Sequence, residues 1–340
     1  MANIYDIAKE ANVSRSTVSR VINNQPSVST DKRLRVLEAV EKLSYTPSAT
    51  ARALATNKTN TIGVISRELA HSFYDEFINS IHYGADYKNY GVLYTMRNAA
   101  MHTNINLSTV LHKKVDGYML VGEGTASKAE IEALGHNDIP VVGYEFYYKL
   151  DKGLFININN KKSAYDAMTY LYSLKHERII HVTYKSRLQE MRLREEGYNE
   201  AAERLGIQSA KVFDVAFEAI HIHQQCQEVM TYIKEHKVTA AFCANNIIAS
   251  VLIEVLIEHG YDVPQDFSVI GFDDTPAERP LHISRQKIPE ITSIKQPQKE
   301  MADYGLNALI SAIEKDQPLE SGNVMFDCEM VIRNTTSIKK

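Results

Sequence analysis

SRSTVSRVIN, residues 14–23, is the stretch on which the reading of this chain turns. Four hydroxyls and two arginines share ten residues, although Ser and Thr compete with the backbone for hydrogen bonds and fill helices poorly. Just upstream, Ile4, Ile7, Ala8 and Ala11 fall at i, i+3, i+4 and i+7, the stripe of a helix with one buried face. The pattern breaks at ANVS, where Asn12 suits a left-handed turn position and Ser14 an N-cap. Val18, Val21 and Ile22 then turn one face of a second helix inward.

Two short helices joined by a turn of about four residues make a helix-turn-helix. With the valines inside, Arg15, Ser16, Ser19 and Arg20 lie on the outer face. Short hydroxyls suit close approach to phosphates, and an arginine can fork onto guanine O6 and N7. A third helix is expected in VSTDKRLRVLEAVEKLSY, capped by Ser29 or Thr30, with Leu34, Leu37, Val40 and Leu43 as its core stripe. After Pro47, the run PSATARALATNKTN offers only Leu54 as a core-forming side chain. It reads as a linker that becomes helical on binding, with Leu54 packed at home or wedged between base steps.

Charge supports this division. Residues 1–60 hold nine Lys/Arg against five Asp/Glu, while residues 61–340 hold 29 against 37. A basic head on an acidic body points to a polyanion partner for the head alone. The polar start MANIYDIAKE is unlike a secretory signal, and no apolar run approaches a bilayer span, so a cytoplasmic protein with no membrane partner is expected. Cys226, Cys243 and Cys328 are far apart and show no CxxC spacing, which fits a reducing compartment without disulfides or a zinc finger.

Beyond residue 60, strand-like runs alternate with helical patterns. TIGVIS, GVLYTM, DGYMLVG and IPVVGYE form one series; ERIIHVTY, KVFDVAF, TAAFCAN and FSVIGFDD form a second. Helices are expected between them, among them 104–113, 127–135 and 222–236. This order indicates an α/β body of two similar parallel-sheet lobes, whose ligand site lies at the carboxyl ends of the strands, in the cleft between lobes. Asn245 and Asn246 end one strand, Asp273 and Asp274 another, and Arg192 lies in the helix after VTYKSRLQE. Acceptors, a two-way amide and a forked donor are what a polyhydroxylated ligand requires. His221 and His223 lack a third ligand nearby and are expected to face solvent instead of holding a metal. GxSxG, P-loop and GxGxxG signatures are missing, so neither an enzyme nor a cofactor is expected.

Together, YDIAKEANVSRSTVSRVIN, LSYTPSATARALA, TIGVI, DVPQDFSVIGFDD and ITSIKQP make this chain resemble, over its whole length, the lactose and galactose repressor family of bacterial transcription regulators. The resemblance implies a helix-turn-helix domain (1–46), a hinge (47–60) and a periplasmic-binding-protein-like effector and dimerisation domain (61–340). Its first lobe would take about 61–160 and 290–322, and its second about 161–289 and 323–340. It implies base contacts at Arg15, Ser16 and Arg20, and phosphate contacts at Thr17, Ser19, Asn23 and Tyr45. Leu54 would intercalate at the centre of a pseudo-palindromic operator, with Ala51 and Ala55 beside it. Effector contacts are implied at Phe73, Tyr74, Arg192, Asn245, Asp273 and Gln296, although Phe73 also shares the core stripe of Phe77. Asn246, Asn159 and Lys175 depart from the aspartate, the aspartate of a DN pair and the glycine usual at those positions. The expectation is a homodimeric repressor of carbohydrate-utilisation genes that binds double-stranded operator DNA and a small sugar or sugar phosphate. A nucleobase-responsive or phosphocarrier-assisted regulator remains open, as does, from another class, a sugar-binding transport receptor.

Overall fold

A computed structural model describes residues 2–22, 26–45, 58–67, 72–97, 114–122, 129, 131, 132, 134, 139–147, 153–185, 188–216, 219–275 and 288–339. The chain divides into two compact units, Met1–Asn60 and Thr61–Lys340. The expected hinge helix and its residues Ala51, Leu54 and Ala55 lie outside the described residues, as do Asn23 and the helix expected at 104–113.

The first unit consists of α1 (Ile4–Glu10), α2 (Arg15–Ile22) and α3 (Thr30–Lys42). A reciprocal capping box opens α1: the Asn3 side chain accepts from Asp6 N–H while the Asp6 carboxylate takes Asn3 N–H. Asn12 adopts the left-handed conformation, φ 50°, and ends the first helix as its short polar side chain allows. Ser14 Oγ accepts Thr17 N–H at 3.2 Å, capping α2. Ile7, Ala8, Ala11, Val18, Val21, Val36 and Ala39 form the core. The expected stripe on α3 is out of phase: Leu34 and Leu37 are 55% and 50% exposed. The buried and half-buried face is Val36, Ala39, Val40 and Leu43, the true i, i+3, i+4, i+7 series.

The body opens with β1 (Thr61–Arg67), a 3₁₀ turn at Ser72–Tyr74, α4 (Asp75–Tyr87), β2 (Gly91–Arg97), β3 (Gly117–Val121), β4 (Val141–Tyr144) and β5 (Leu154–Ile158). Then follow α5 (Asn160–Ser173), β6 (Arg178–Tyr184), α6 (Gln189–Leu205), β7 (Gln208–Val215), α7 (Ala219–His236), β8 (Ala240–Cys243), α8 (Asn246–Glu258), β9 (Ser268–Phe272) and β10 (Thr292–Lys295). The chain closes with α9 (Gln298–Lys315), β11 (Gly322–Phe326) and β12 (Glu329–Val331).

Two six-stranded sheets result, ordered β11-β5-β4-β3-β1-β2 and β12-β10-β9-β8-β6-β7. Among the described residues every pairing is parallel except β10 with β12. Strands β3, β4, β5 and β9 are buried throughout, as continuous apolar runs covered on both faces should be. An apolar cluster runs from Ile62 and Val64 in the first sheet to Phe242 and Phe272 in the second.

The lobe boundaries differ from expectation. β10 belongs to the second sheet and β11 to the first, so the chain crosses between lobes at Asn159, at 296–297 and at 327–328. Hydrophobic pattern alone cannot say which sheet a lone strand joins, so the expected boundaries at 290 and 322 give way to crossings at 296–297 and 327–328. Helices α5 and α6 pack unusually close: a Cβ on Gly197 would lie 2.2 Å from the Lys161 carbonyl oxygen. Lys175, where the resemblance implies a glycine, is held at φ 72°. His223, expected to face solvent, is half-buried and bonds Glu258 at 3.1 Å, because α7 lays it against α8.

His181 lies at the centre of the second lobe, fully buried and stacked on Phe242 and Tyr198. Its Nδ1 bonds Phe242 O at 2.9 Å, and Nε2 has no partner among the described residues. Burial lowers its pKa to about 4. The unfolded chain therefore binds a proton on this ring that the native state refuses between pH 6.5 and 4. Stability should be full above pH 6.5 and fall by up to about 1.4 kcal/mol per pH unit below it. Urea unfolding at pH 7.5 and 5.5 checks this; His181→Phe should remove most of the difference, leaving the smaller share of His176, whose pKa burial also lowers.

Candidate functional site

Two sets of polar side chains cannot be explained by packing. The first is the outer face of α2. Arg15, Ser16 and Arg20 are exposed, while Thr17 and Ser19 are half-buried beside the inward Val18 and Val21. Ser14 Oγ lies 2.8 Å from Ser16 Oγ and 2.9 Å from Thr17 Oγ1, which orders the hydroxyls at the start of the helix. Tyr45 packs half-buried against the head core. This face carries two guanidiniums and no carboxylate along its eight residues, a composition suited to phosphate and base edges.

The second set lines the cleft between the body's lobes, at the carboxyl ends of the strands. Its centre is Arg194, on the inner face of α6 and 1% exposed. Nε donates to Asn160 Oδ1 at 2.7 Å, Nη1 to Ala244 O, and Nη2 to Asp273 Oδ1 at 3.1 Å. The guanidinium carbon stands 3.6 Å from the centroid of the Phe272 ring. Burial by itself would lower this group's pKa, but Asp273, Glu145 and Glu190 hold it above its ordinary value. Arg194 is a permanent cation.

Asp273 follows β9 at φ 79° and Asp274 at φ 51°, two left-handed residues in succession. Gln296, at the second crossover, donates Nε2 to Asp273 Oδ1 at 2.8 Å and accepts from Tyr144 O–H at 3.0 Å. Both donors to Asp273 reach Oδ1, so among the described residues Oδ2 stays open as an acceptor. Asp274 is held apart by two bonds from Arg333.

The first lobe contributes an aromatic wall. Tyr74 is buried and donates its hydroxyl to Glu145 Oε2 at 2.8 Å. Phe73 is half-buried, packed on the core, and meets Tyr74 edge-on at 4.7 Å. Asn160 bridges the lobes by donating to Tyr147 O–H oxygen at 2.6 Å while accepting from Arg194. Asn245 caps α8: Oδ1 accepts Ile248 N–H at 2.9 Å and Nδ2 donates to Tyr184 Oη at 3.2 Å. Burial pushes the Tyr184 hydroxyl up to about 12, so it stays neutral while it accepts from Asn245.

Residues 3–48 match the family described as bacterial regulatory proteins, lacI family, and residues 168–336 match the periplasmic binding protein-like domain. The HTH-type transcriptional regulator RegA of Clostridium acetobutylicum is 31% identical, with 98% of this chain and 99% of that protein covered. This chain belongs to the lacI family of bacterial regulatory proteins. The HTH-type transcriptional repressor CytR of Escherichia coli is 30% identical, over 98% of this chain and 96% of its own. In fold, this lacI-family regulator is similar to the Lac repressor dimer bound to operator and an anti-inducer: TM-score 0.82, 24% identity, 99% of each chain covered. The chain is thus a DNA-binding transcription regulator and not an enzyme.

Within this regulator one expected ligand residue is displaced. Arg192 is exposed and, among the described residues, bonds only to Gln189 on its own helix. Two residues along an α-helix turn a side chain about 200°, to the far face. Arg194 is the arginine that reaches Asp273. A stripe continued backward from Tyr198, Gly197 and Ala201 would have found it at i−3 and i−4. Asp273 and Gln296 share this hydrogen-bond network, Tyr74 joins Glu145 with Phe73 against its ring, and Asn245 caps α8 beside Tyr184. Glu145, Tyr144, Asn160 and Tyr147 carried no sequence signal, because each is defined by a partner in a distant segment. Asn246 is structural: its Oδ1 accepts from Ser293 Oγ at 2.8 Å and its Nδ2 donates to Thr275 O at 2.9 Å. An aspartate in this pose would set a carboxylate against that carbonyl.

The two arginines separate cleanly by experiment. Arg194→Ala strands a buried carboxylate and is expected to cost about 3–5 kcal/mol in urea unfolding. Arg192→Ala should stay within about 0.5 kcal/mol of the wild type.

Proposed function

We propose that this regulator is a repressor of carbohydrate-utilisation genes that binds a pseudo-palindromic operator as a homodimer and a small sugar or sugar phosphate in its cleft. The observation that carries the effector reading is the mixed donor and acceptor set at the cleft: the Arg194 fork, the open Oδ2 of Asp273, and the Gln296 and Asn245 amides. Each sugar hydroxyl both donates and accepts, so it needs partners of both kinds. The ring edges of Phe73 and Tyr74 offer an apolar surface for the face of a sugar ring. Ligand bridging Glu145 and Tyr74 on one lobe to Asp273 and Arg194 on the other would favour the closed arrangement and so change DNA affinity.

Base reading is assigned to Arg15, Ser16 and Arg20, and phosphate contact to Thr17, Ser19, Asn23 and Tyr45. A single helix-turn-helix reads one half-site, so two copies are needed for a palindrome. The Lac repressor to which the fold is similar is a dimer on its operator. In this chain α4 and the edge strand β2 expose Tyr83 at 70%, Tyr87 at 88% and Met96 at 51%, an apolar face suited to a second copy. Among the described residues no helix is long and apolar enough to cross a membrane. The regulator acts in the cytoplasm, where its DNA is.

Calorimetry against a panel of sugars, sugar phosphates and purines tests the effector. A carbohydrate should bind and shift the affinity for an operator selected from random duplexes. A purine that binds while every carbohydrate is silent would replace the sugar reading by the nucleobase one. Truncating Asp273 to Ala should weaken the carbohydrate by about 1–3 kcal/mol, through a ligand hydroxyl left unpaired. Tyr87→Lys is expected to lower dimer affinity in sedimentation equilibrium without changing thermal unfolding of the monomer.

A further inference from the structure

Tyr5 belongs to neither the head core nor the assigned DNA face. It sits in the first turn of α1, 60% exposed, beside the fully buried Ile7. Its position is nevertheless fixed. Tyr5 N–H donates to Asn3 Oδ1 at 2.8 Å, inside the capping box that clamps this turn. Across the helix-turn-helix, Arg15 Nη1 donates to Tyr5 Oη at 2.7 Å, and the Arg15 guanidinium carbon lies 4.5 Å from the ring centroid. A rigid ring thus meets both the face and one N–H of a guanidinium at the end of a flexible stem.

We propose that Tyr5 is a positioning residue for base recognition, holding Arg15 in the pose from which it reads a base edge. The inference rests on the reading of Arg15 as a base contact. An arginine free in solvent must lose rotamer freedom to fork onto guanine O6 and N7; a guanidinium already fixed on an aromatic face has lost much of it. Only one Nη1 hydrogen is taken by Tyr5, which leaves the Nη2 hydrogens and the other Nη1 hydrogen for a base. The same helix supplies a control. Arg20 has no hydrogen-bond, ion-pair or ring partner among the described residues, so Tyr5 should govern the base read by Arg15 and leave the base read by Arg20 untouched.

The test uses the full chain and a duplex selected from a random pool. Affinity is measured for that duplex and for each single base-pair change in it, with wild type, Tyr5→Phe, Tyr5→Ala, Arg15→Ala, Arg20→Ala and the Tyr5→Ala/Arg15→Ala pair. Tyr5→Ala is expected to reduce discrimination roughly two- to fivefold, the size of an exposed cation–π contact, and only at the base pair that Arg15→Ala makes indifferent. Tyr5→Phe keeps the ring and should recover part of it. In the Arg15→Ala background Tyr5→Ala should change nothing further, a non-additivity that a general loss of head stability would not produce. Equal loss on every duplex with a shallower salt dependence would make Tyr5 a phosphate contact and overturn the proposal. The same loss with and without Arg15 would also overturn it. If Arg15→Ala alters no base preference, the reading of Arg15 falls and the proposal falls with it.

Discussion

A guanidinium taken wholly out of water is among the costlier things a fold can contain, and the body of this regulator is arranged around one. Arg194 is tolerated because each edge of its plane meets an acceptor and its face meets the Phe272 ring. Those partners come from four places in the chain: the start of α5, the ends of β8 and β9, and the bend that follows. Gly197, one turn along α6, lets the two helices approach until Asn160 reaches Nε. The left-handed backbone at Asp273 turns its carboxylate back toward Nη2. Remove the cation and the surrounding acceptors lose their reason to converge.

The head follows the opposite logic. Its core is small, and its interesting side chains are the ones left outside it. A helix that must approach a polyanion closely cannot bury its donors, so specificity there rests on how far an exposed side chain is ordered before contact. The cleft holds its polar groups buried and mutually bonded; the head holds them exposed and lightly restrained. One chain thus contains two solutions to recognition, matched to a small ligand and to a long charged surface.

Much of this was legible in the sequence where the signal is local. The i, i+3, i+4, i+7 spacing and the Asn12–Ser14 punctuation fixed the helix-turn-helix, because sterics and capping act within a few residues. The alternation of apolar runs with helical patterns gave two parallel-sheet lobes. Failure came with phase and with distance. Leu34 and Leu37 look as apolar as Val36 and Ala39, and only the packed neighbours choose the face. Arg192 and Arg194 are two positions and half a helix turn apart, which a motif scan blurs. Bonds such as Tyr74 to Glu145 or Tyr144 to Gln296 join segments 71 and 152 residues apart, for which a single sequence holds no record.

The three crossovers between the lobes have a mechanical meaning. Two bodies joined by one strand can swing and spin, and two joined by a pair can still shear. Three links side by side resist twist and slide and leave bending about a single axis as the soft motion. Gln296 lies on one of these links and bonds to both Tyr144 and Asp273. Near an axle, displacements are smallest and contact geometry matters most, so a ligand can set the angle there with bonds of ordinary length. The amplitude appears at the rims, where the same small rotation is multiplied by the radius of each lobe.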